Sequence, residues 1–320
     1  MTRLNFSLLL ALVVAVPLSL LAGRVWIDPF DPQVRNAAII VIELRVPRAV
    51  LALLIGGGLG GAGAAMQGYL RNPLADPGLF GIAPTAALGA VLSLFFGITA
   101  GWALPVFALI GAGGAMALLG TIAGREGGIG LFTLGGMMIA SLAGALTSLA
   151  ISLSPTPFAL SEIVTWLMGA LADRSWREVW IAAPLTLAGL GFLWSAGRGL
   201  DALTLGEAAA RSLGVEPRRM LVLIILGIGL TVGASVAVAG IIGFVGLMVP
   251  HLVRPFTDRR PSSLLLPSAL AGALLLLVAD CLCRILPTVG ELRLGIALSL
   301  IGAPFFLHLL LKLRASTGST

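Results

Sequence analysis

Apolar residues run along this chain in long stretches, separated by short clusters of Arg, Asp, Glu and Pro. A helix crossing a hydrocarbon core of roughly 30 Å needs about 20 apolar residues. Cut at that length, the chain divides into segments 5–22, 48–70, 80–98, 102–121, 131–153, 178–196, 220–238, 241–253, 264–284 and 294–311. It reads as an all-α, polytopic membrane protein with about ten transmembrane helices. All 320 residues form one membrane domain, with its longest polar insertion at 198–219.

The division inside 220–253 rests on flexibility and charge, because no polar loop separates the two halves. Gly233, Gly240, Gly243 and Gly246 permit a tight reversal near Gly240. Arg218 and Arg219 precede the stretch, Arg254, Arg259 and Arg260 follow it, and putting both clusters in the cytoplasm requires two crossings. The second of these is short. Two further segments are irregular. Residues 72–84 (NPLADPGLFGIAP) contain three prolines and cannot form one continuous helix, so they are expected to line a protein-covered pathway. Residues 154–176 are interrupted by Pro155, Pro157, Glu162, Asp173 and Arg174, which suits a short outer half-helix over 160–171.

Composition excludes a soluble domain: 58% of residues are hydrophobic, 11% are charged and mean hydropathy is +1.06. The N-terminal run resembles a signal peptide, but further spans follow, so it is read as an uncleaved first crossing. A net charge of +6 would suggest nucleic acid in a soluble protein. Here the arginines flank apolar segments and no aromatic-rich basic surface accompanies them, so no nucleic-acid partner is expected. With both termini inside, 12 of the 20 basic residues fall on the cytoplasmic side: Arg3, Arg71, Arg125, Arg198, Arg211, Arg218, Arg219, Arg254, Arg259, Arg260, Lys312 and Arg314. The outer remainder, Arg24, Arg35, Arg45, Arg48, Arg174, Arg177, Arg284 and Arg293, calls for another explanation, and a negatively charged partner is one.

Several motifs have plainer readings than their patterns suggest. GGGLGGAG at 56–63 satisfies a dinucleotide-binding pattern, but no strand precedes it, and its glycines suit close helix packing. The only lysine, Lys312, follows Leu311, so there is no phosphate-binding Gly-Lys pair and ATP hydrolysis would need a separate subunit. His251 and His308 sit near span ends, where a structural hydrogen bond is preferred to metal or haem ligation. Cys281 and Cys283 have no metal-finger spacing. No catalytic residue, metal site or cofactor is expected in this chain. Asp280 and Arg284 are spaced i, i+4, compatible with local pairing and with partner docking alike. EAAARSLG at 207–214 reads as an amphipathic helix ended by Gly214, able either to dock in a soluble partner or to pack on the protein itself.

Four stretches together carry a family resemblance: RVPRAVLALLIGGGLGGAGAAMQGYLRNPLADPGLFGI (45–82), LGEAAARSLGV (205–215), GFVGLMVPHLVRP (243–255) and ADCLCRILPTVGELRLGIALSLIGAPFFLHLLLK (279–312). The chain resembles the permease subunits of ABC importers for ferric siderophores, haem and cobalamin. That resemblance implies ten helices, a homodimer with the pathway between its copies, two ATPase subunits carrying ATP and Mg, and a periplasmic binding protein, all at the inner membrane. Glu207, Ala208, Ala209 and Gly214 match the loop that transmits ATPase closure. Arg45, Arg48 and Arg284 match positions that receive acidic residues of the binding protein.

Alternating access by such a permease needs weakly binding walls, for which the small and apolar residues of 72–81, 147–154 and 168–169 are candidates. Arg174 and Arg177 could attract an anionic chelate, or be neutralised by Asp173 and Glu178. Ferric siderophore and haem rank above cobalamin as substrate. The alternative class is an ion-coupled secondary transporter, which would usually carry acidic residues in mid-span.

Overall fold

The computed structural model describes residues 3–23, 37–98, 100–124, 128–286 and 290–317, and these are helical, with no strand among them. The helices are α1 (Arg3–Leu21), α2 (Ala37–Ile40), α3 (Val46–Leu70), α4 (Ile82–Phe95), α5 (Ala103–Ala123), α6 (Gly128–Ser152), α7 (Pro157–Leu167), α8 (Trp176–Leu203), α9 (Glu207–Ser212), α10 (Pro217–Ala239), α11 (Val245–Val253), α12 (Pro261–Ile285) and α13 (Leu294–Thr317). A π-helical turn, Val41–Arg45, joins α2 to α3. Each of the ten apolar segments coincides with a helix. By length and composition, seven are long and apolar enough to cross a membrane: α1, α5, α6, α8, α10, α12 and α13. Arg24, Arg35 and Arg125 lie outside the described residues.

Two boundaries differ from the sequence reading. The polar insertion at 198–219 is shorter than expected, because α8 continues to Leu203 and α10 begins at Pro217. Leu200 and Leu203 remain buried, so packing carries the helix past the charged Arg198 and Asp201. The outer half-helix starts earlier than 160. Thr156 Oγ1 accepts from Ala159 N at 3.1 Å and Pro157 takes the first turn, while Gly169, with φ 67°, turns the chain after the helix.

Helix α3 is the axis of the bundle. Its 25 residues are enclosed by α8, α10, α11 and α12 along most of their length. Glycine makes this enclosure feasible: a Cβ at Gly56 would collide with Gly272 O, one at Gly60 with Ser268 O, and one at Gly63 with Gly246 O. Apolar lipid and apolar protein differ little in hydrophobic drive, so the close approach of backbones and their dispersion contacts hold these helices together.

The helix ends segregate onto two faces. On the first, Arg45 donates to Leu20 O and Leu21 O at the end of α1, Arg48 meets Asp280 of α12, and Ala170 N donates to Ala239 O at the end of α10. On the second, Tyr69 of α3, Ala123 of α5, Ile129 of α6, Leu203 of α8 and Met220 of α10 surround α9. Arg45, Arg48, Arg174, Arg177 and Arg284 therefore share one face, and Arg71, Arg211, Arg218, Arg254 and Arg259 the other. The split is the one that the charge pattern predicts.

Candidate functional site

The second face carries a projecting helical knob. Gly206, with φ 100°, turns the chain out of α8, and α9 follows with Glu207 and Ala208 exposed and Ala210 buried. Its end is a Schellman cap. Val215 N donates to Ala210 O at 3.0 Å and Gly214 N to Arg211 O at 2.9 Å, with Gly214 at φ 83°. Only glycine takes that conformation without strain, which gives Gly214 its structural task. Leu205 and Leu213 stand exposed on either side of the knob, and a cleft of about 580 Å³ opens beneath it between α5, α6 and α10. The knob is held by its base and bare at its tip: Ala210 packs on the protein while Glu207, Ala208, Leu205 and Leu213 are exposed.

The first face carries a charge network. Arg48 Nε and Nη2 bracket Asp280 at 2.9 to 3.1 Å, and Arg48 Nη2 also reaches Glu291 at 2.8 Å. Arg284 lies 3.2 Å from the same Asp280 carboxylate and donates to Ala22 O at 3.1 Å. Asp280 is 1% exposed and Arg284 5%. The charges of Arg48 and Arg284 are thus spent on carboxylates of this chain, while Arg45 caps the last carbonyls of α1. Local pairing describes Asp280 and Arg284.

Arg174 and Arg177 border a cleft of about 170 Å³ with Glu162, Trp166 and Glu178. Glu178 is buried, bonds Ser175 in a capping box and pairs with Arg177 at 2.7 Å. Arg177 is therefore neutralised by Glu178. Arg174 is different: its Nε is sealed from solvent with no hydrogen-bond acceptor among the described residues, and burial pushes its guanidinium below the ordinary value. The structure brings the two arginines together but leaves only Arg174 unmatched.

The other pathway segments are dispersed. Asn72, Leu74, Ala75, Asp76 and Phe80 line a cleft of about 420 Å³ against α6. Residues 147–154 lie at the opposite end of α6. Gly169 O accepts from Gly295 N at 3.2 Å, so 168–169 seats against the start of α13.

Comparison with known proteins places this arrangement. Residues 9–312 match the FecCD transport family. The chain belongs to that family. It is 38% identical over 315 residues to the vitamin B12 import system permease protein BtuC of Salmonella paratyphi A, covering 97% of this chain and 95% of that protein. The corresponding protein of Salmonella typhi is 37% identical over the same coverage. A chain solved in an inward-facing conformation and assigned to the metal-chelate type of ABC transporter superposes with a TM-score of 0.89 at 33% identity, covering 97% of this chain and 99% of that one.

This FecCD-family chain is an ABC-importer permease and a multi-pass membrane protein. A residue that sequence reasoning missed lies on the second face. Gln67 is 3% exposed within apolar α3; its Nε2 donates to Leu247 O at 3.2 Å and its Oε1 accepts from Arg254 at 2.6 Å. An amide within the apolar run of α3 that follows Arg48 is the signal that could have found it.

Proposed function

We propose that this protein is the membrane half of an inner-membrane importer for a metal chelate, working as a homodimer by alternating access. Ten crossings fit the ten helices that match apolar segments. The shortest segment combines the nine residues of α11, which rise about 14 Å, with residues 240–244, which turn at Gly240 (φ 73°) and Phe244 (φ 67°). Such irregular backbone at membrane depth is tolerated because protein covers it. Binding, coupling and energy supply are then divided among subunits: a binding protein delivers the chelate to the first face, and two ATPase subunits bearing ATP and Mg seat against α9.

The observation that carries this reading is the α9 knob, exposed at its tip and rigidly capped at its base, on a chain with no nucleotide-binding sequence of its own. A rigid knob transmits displacement where a floppy loop would absorb it. For the substrate, the relatives that import vitamin B12 move cobalamin ahead of haem and ferric siderophore, reversing the order drawn from sequence. Docking of the binding protein falls to the exposed first-face groups around the buried network, with Arg177, 44% exposed, better placed than Arg48 or Arg284. Arg174 is the group for an anionic portion of the chelate.

The test is uptake into proteoliposomes holding this chain with its ATPase and binding protein, offered labelled cobalamin, haem and ferric siderophore in parallel. ATP-dependent accumulation of cobalamin is the expected result. Uptake driven by an ion gradient without the ATPase would replace the importer reading with a secondary transporter.

A further inference from the structure

The ends of α3, α8, α11 and α12 on the second face enclose a pocket of about 220 Å³ that plays no part in the coupling knob. Three arginines line it, Arg71, Arg254 and Arg259, together with Gln67, Asn72 and Thr204, and no carboxylate does. Nearby acids are occupied elsewhere. Asp201 accepts from Ser262 N at 2.9 Å and from Ser262 Oγ, and Asp258 from Ser263 Oγ and from Arg260 N at 3.2 Å. Arg254 gives Nη2 to Gln67, but its Nε is sealed from solvent with no acceptor among the described residues. Like charges at one pocket repel, and a buried guanidinium nitrogen lacking an acceptor costs free energy, so the arrangement is completed by an anion.

We propose that this pocket binds the phosphate of an anionic phospholipid headgroup at the membrane surface. Planar guanidinium groups match phosphate oxygens in pairs, and basic pockets between membrane helices are where such headgroups are held. The volume admits a phosphodiester and its glycerol but not a chelate the size of haem or cobalamin. Leu252 and Phe256, two positions on either side of Arg254, are 49% and 70% exposed, apolar side chains that acyl chains would cover. Assignment to the cytoplasmic leaflet rests on the sidedness proposed above; the pocket and its anion do not.

Arg71 and Arg259 have φ of 50° and 63°, so glycine at either position removes a charge and relieves the backbone. The experiment compares the full-length chain with the Arg71→Gly/Arg259→Gly variant in neutral detergent. Bound lipid is counted by native mass spectrometry, and the unfolding midpoint is followed as phosphatidylglycerol, phosphatidylethanolamine or inorganic phosphate is added. Phosphatidylglycerol alone is expected to bind and raise the midpoint of the wild type. Its affinity should fall about fivefold per arginine, on the order of thirtyfold for both. Equal protection by inorganic phosphate would overturn the lipid assignment in favour of a free-anion site. Unchanged phosphatidylglycerol binding by the variant would overturn the site itself. So would loss of ATPase-subunit association with lipid binding intact, since the pocket would then belong to a protein contact. Each of these results is independent of which chelate is carried.

Discussion

At the α1/α12 end of the bundle, Arg48 and Arg284 converge on Asp280 and Arg48 continues to Glu291; at the α9 end, Arg71, Arg254 and Arg259 share a pocket that no carboxylate lines. Both clusters hold arginine at or near the ends of apolar helices. The first is closed, its charge balanced within the chain and its central acid buried. The second is open: Arg254 Nε is buried with no acceptor among the described residues and no carboxylate lines its pocket, whereas Arg284 Nε of the first, also without a hydrogen bond, lies 3.2 Å from the Asp280 carboxylate. A closed network serves as a clamp between helices, here α3 and α12, whereas an open one stores unmatched charge for something outside the chain. A sequence rich in arginine at both ends gives no hint of this difference, since the residue type is the same.

The contrast can be broken most severely at Asp280. Replacing it by Ala leaves buried Arg284 without a carboxylate and Arg48 with Glu291 alone, and the loss should reach about 3 to 5 kcal/mol. A fall of several degrees in the unfolding midpoint, followed by tryptophan fluorescence in detergent, is the expected reading; an unchanged midpoint would mean that Arg48 and Arg284 are not held by this acid. Next in size is Gln67→Ala, which removes the acceptor of Arg254 and the donor to Leu247 O. It should cost about 1 to 3 kcal/mol in the same assay.

Smaller effects sharpen the comparison. Glu291 is 32% exposed and is only the second partner of Arg48, so Glu291→Ala should cost no more than about 1 kcal/mol. The smallest change is expected from Arg259→Gly in lipid-free detergent, within about 0.5 kcal/mol of wild type, because that side chain is exposed and makes no ion pair among the described residues. A large loss there would mean that Arg259 is structurally committed, contrary to an open cluster.

Much of the helical layout was legible in sequence because hydrocarbon admits so few solutions. Uninterrupted apolar runs must become helices, and all ten segments did. The knob's helix was legible too, since EAAARSLG at 207–214 reads as a helix ended by Gly214 between two spans. Less legible were the limits of α8 and α7, where Leu200 and Leu203 found buried places and Thr156 supplied a cap. The reach of the outer arginines was least legible. Spacing suggested the pair Asp280 and Arg284, but Arg48 lies 232 positions from Asp280, and no periodicity connects residues so far apart.

What the sequence by itself determined is the solvent, the helical class, the sorting of arginines onto two faces and the family. These follow from local chemistry, because transfer into hydrocarbon acts on each segment separately and motifs are read residue by residue. Only the tertiary structure decided which arginines are matched, that Gly56, Gly60 and Gly63 take α12 and α11 against α3, and that Gln67 ties α3 to Arg254. The physical reason is that charge pairing and close backbone approach depend on distances across the bundle, fixed by how helices pack and not by how any one of them reads.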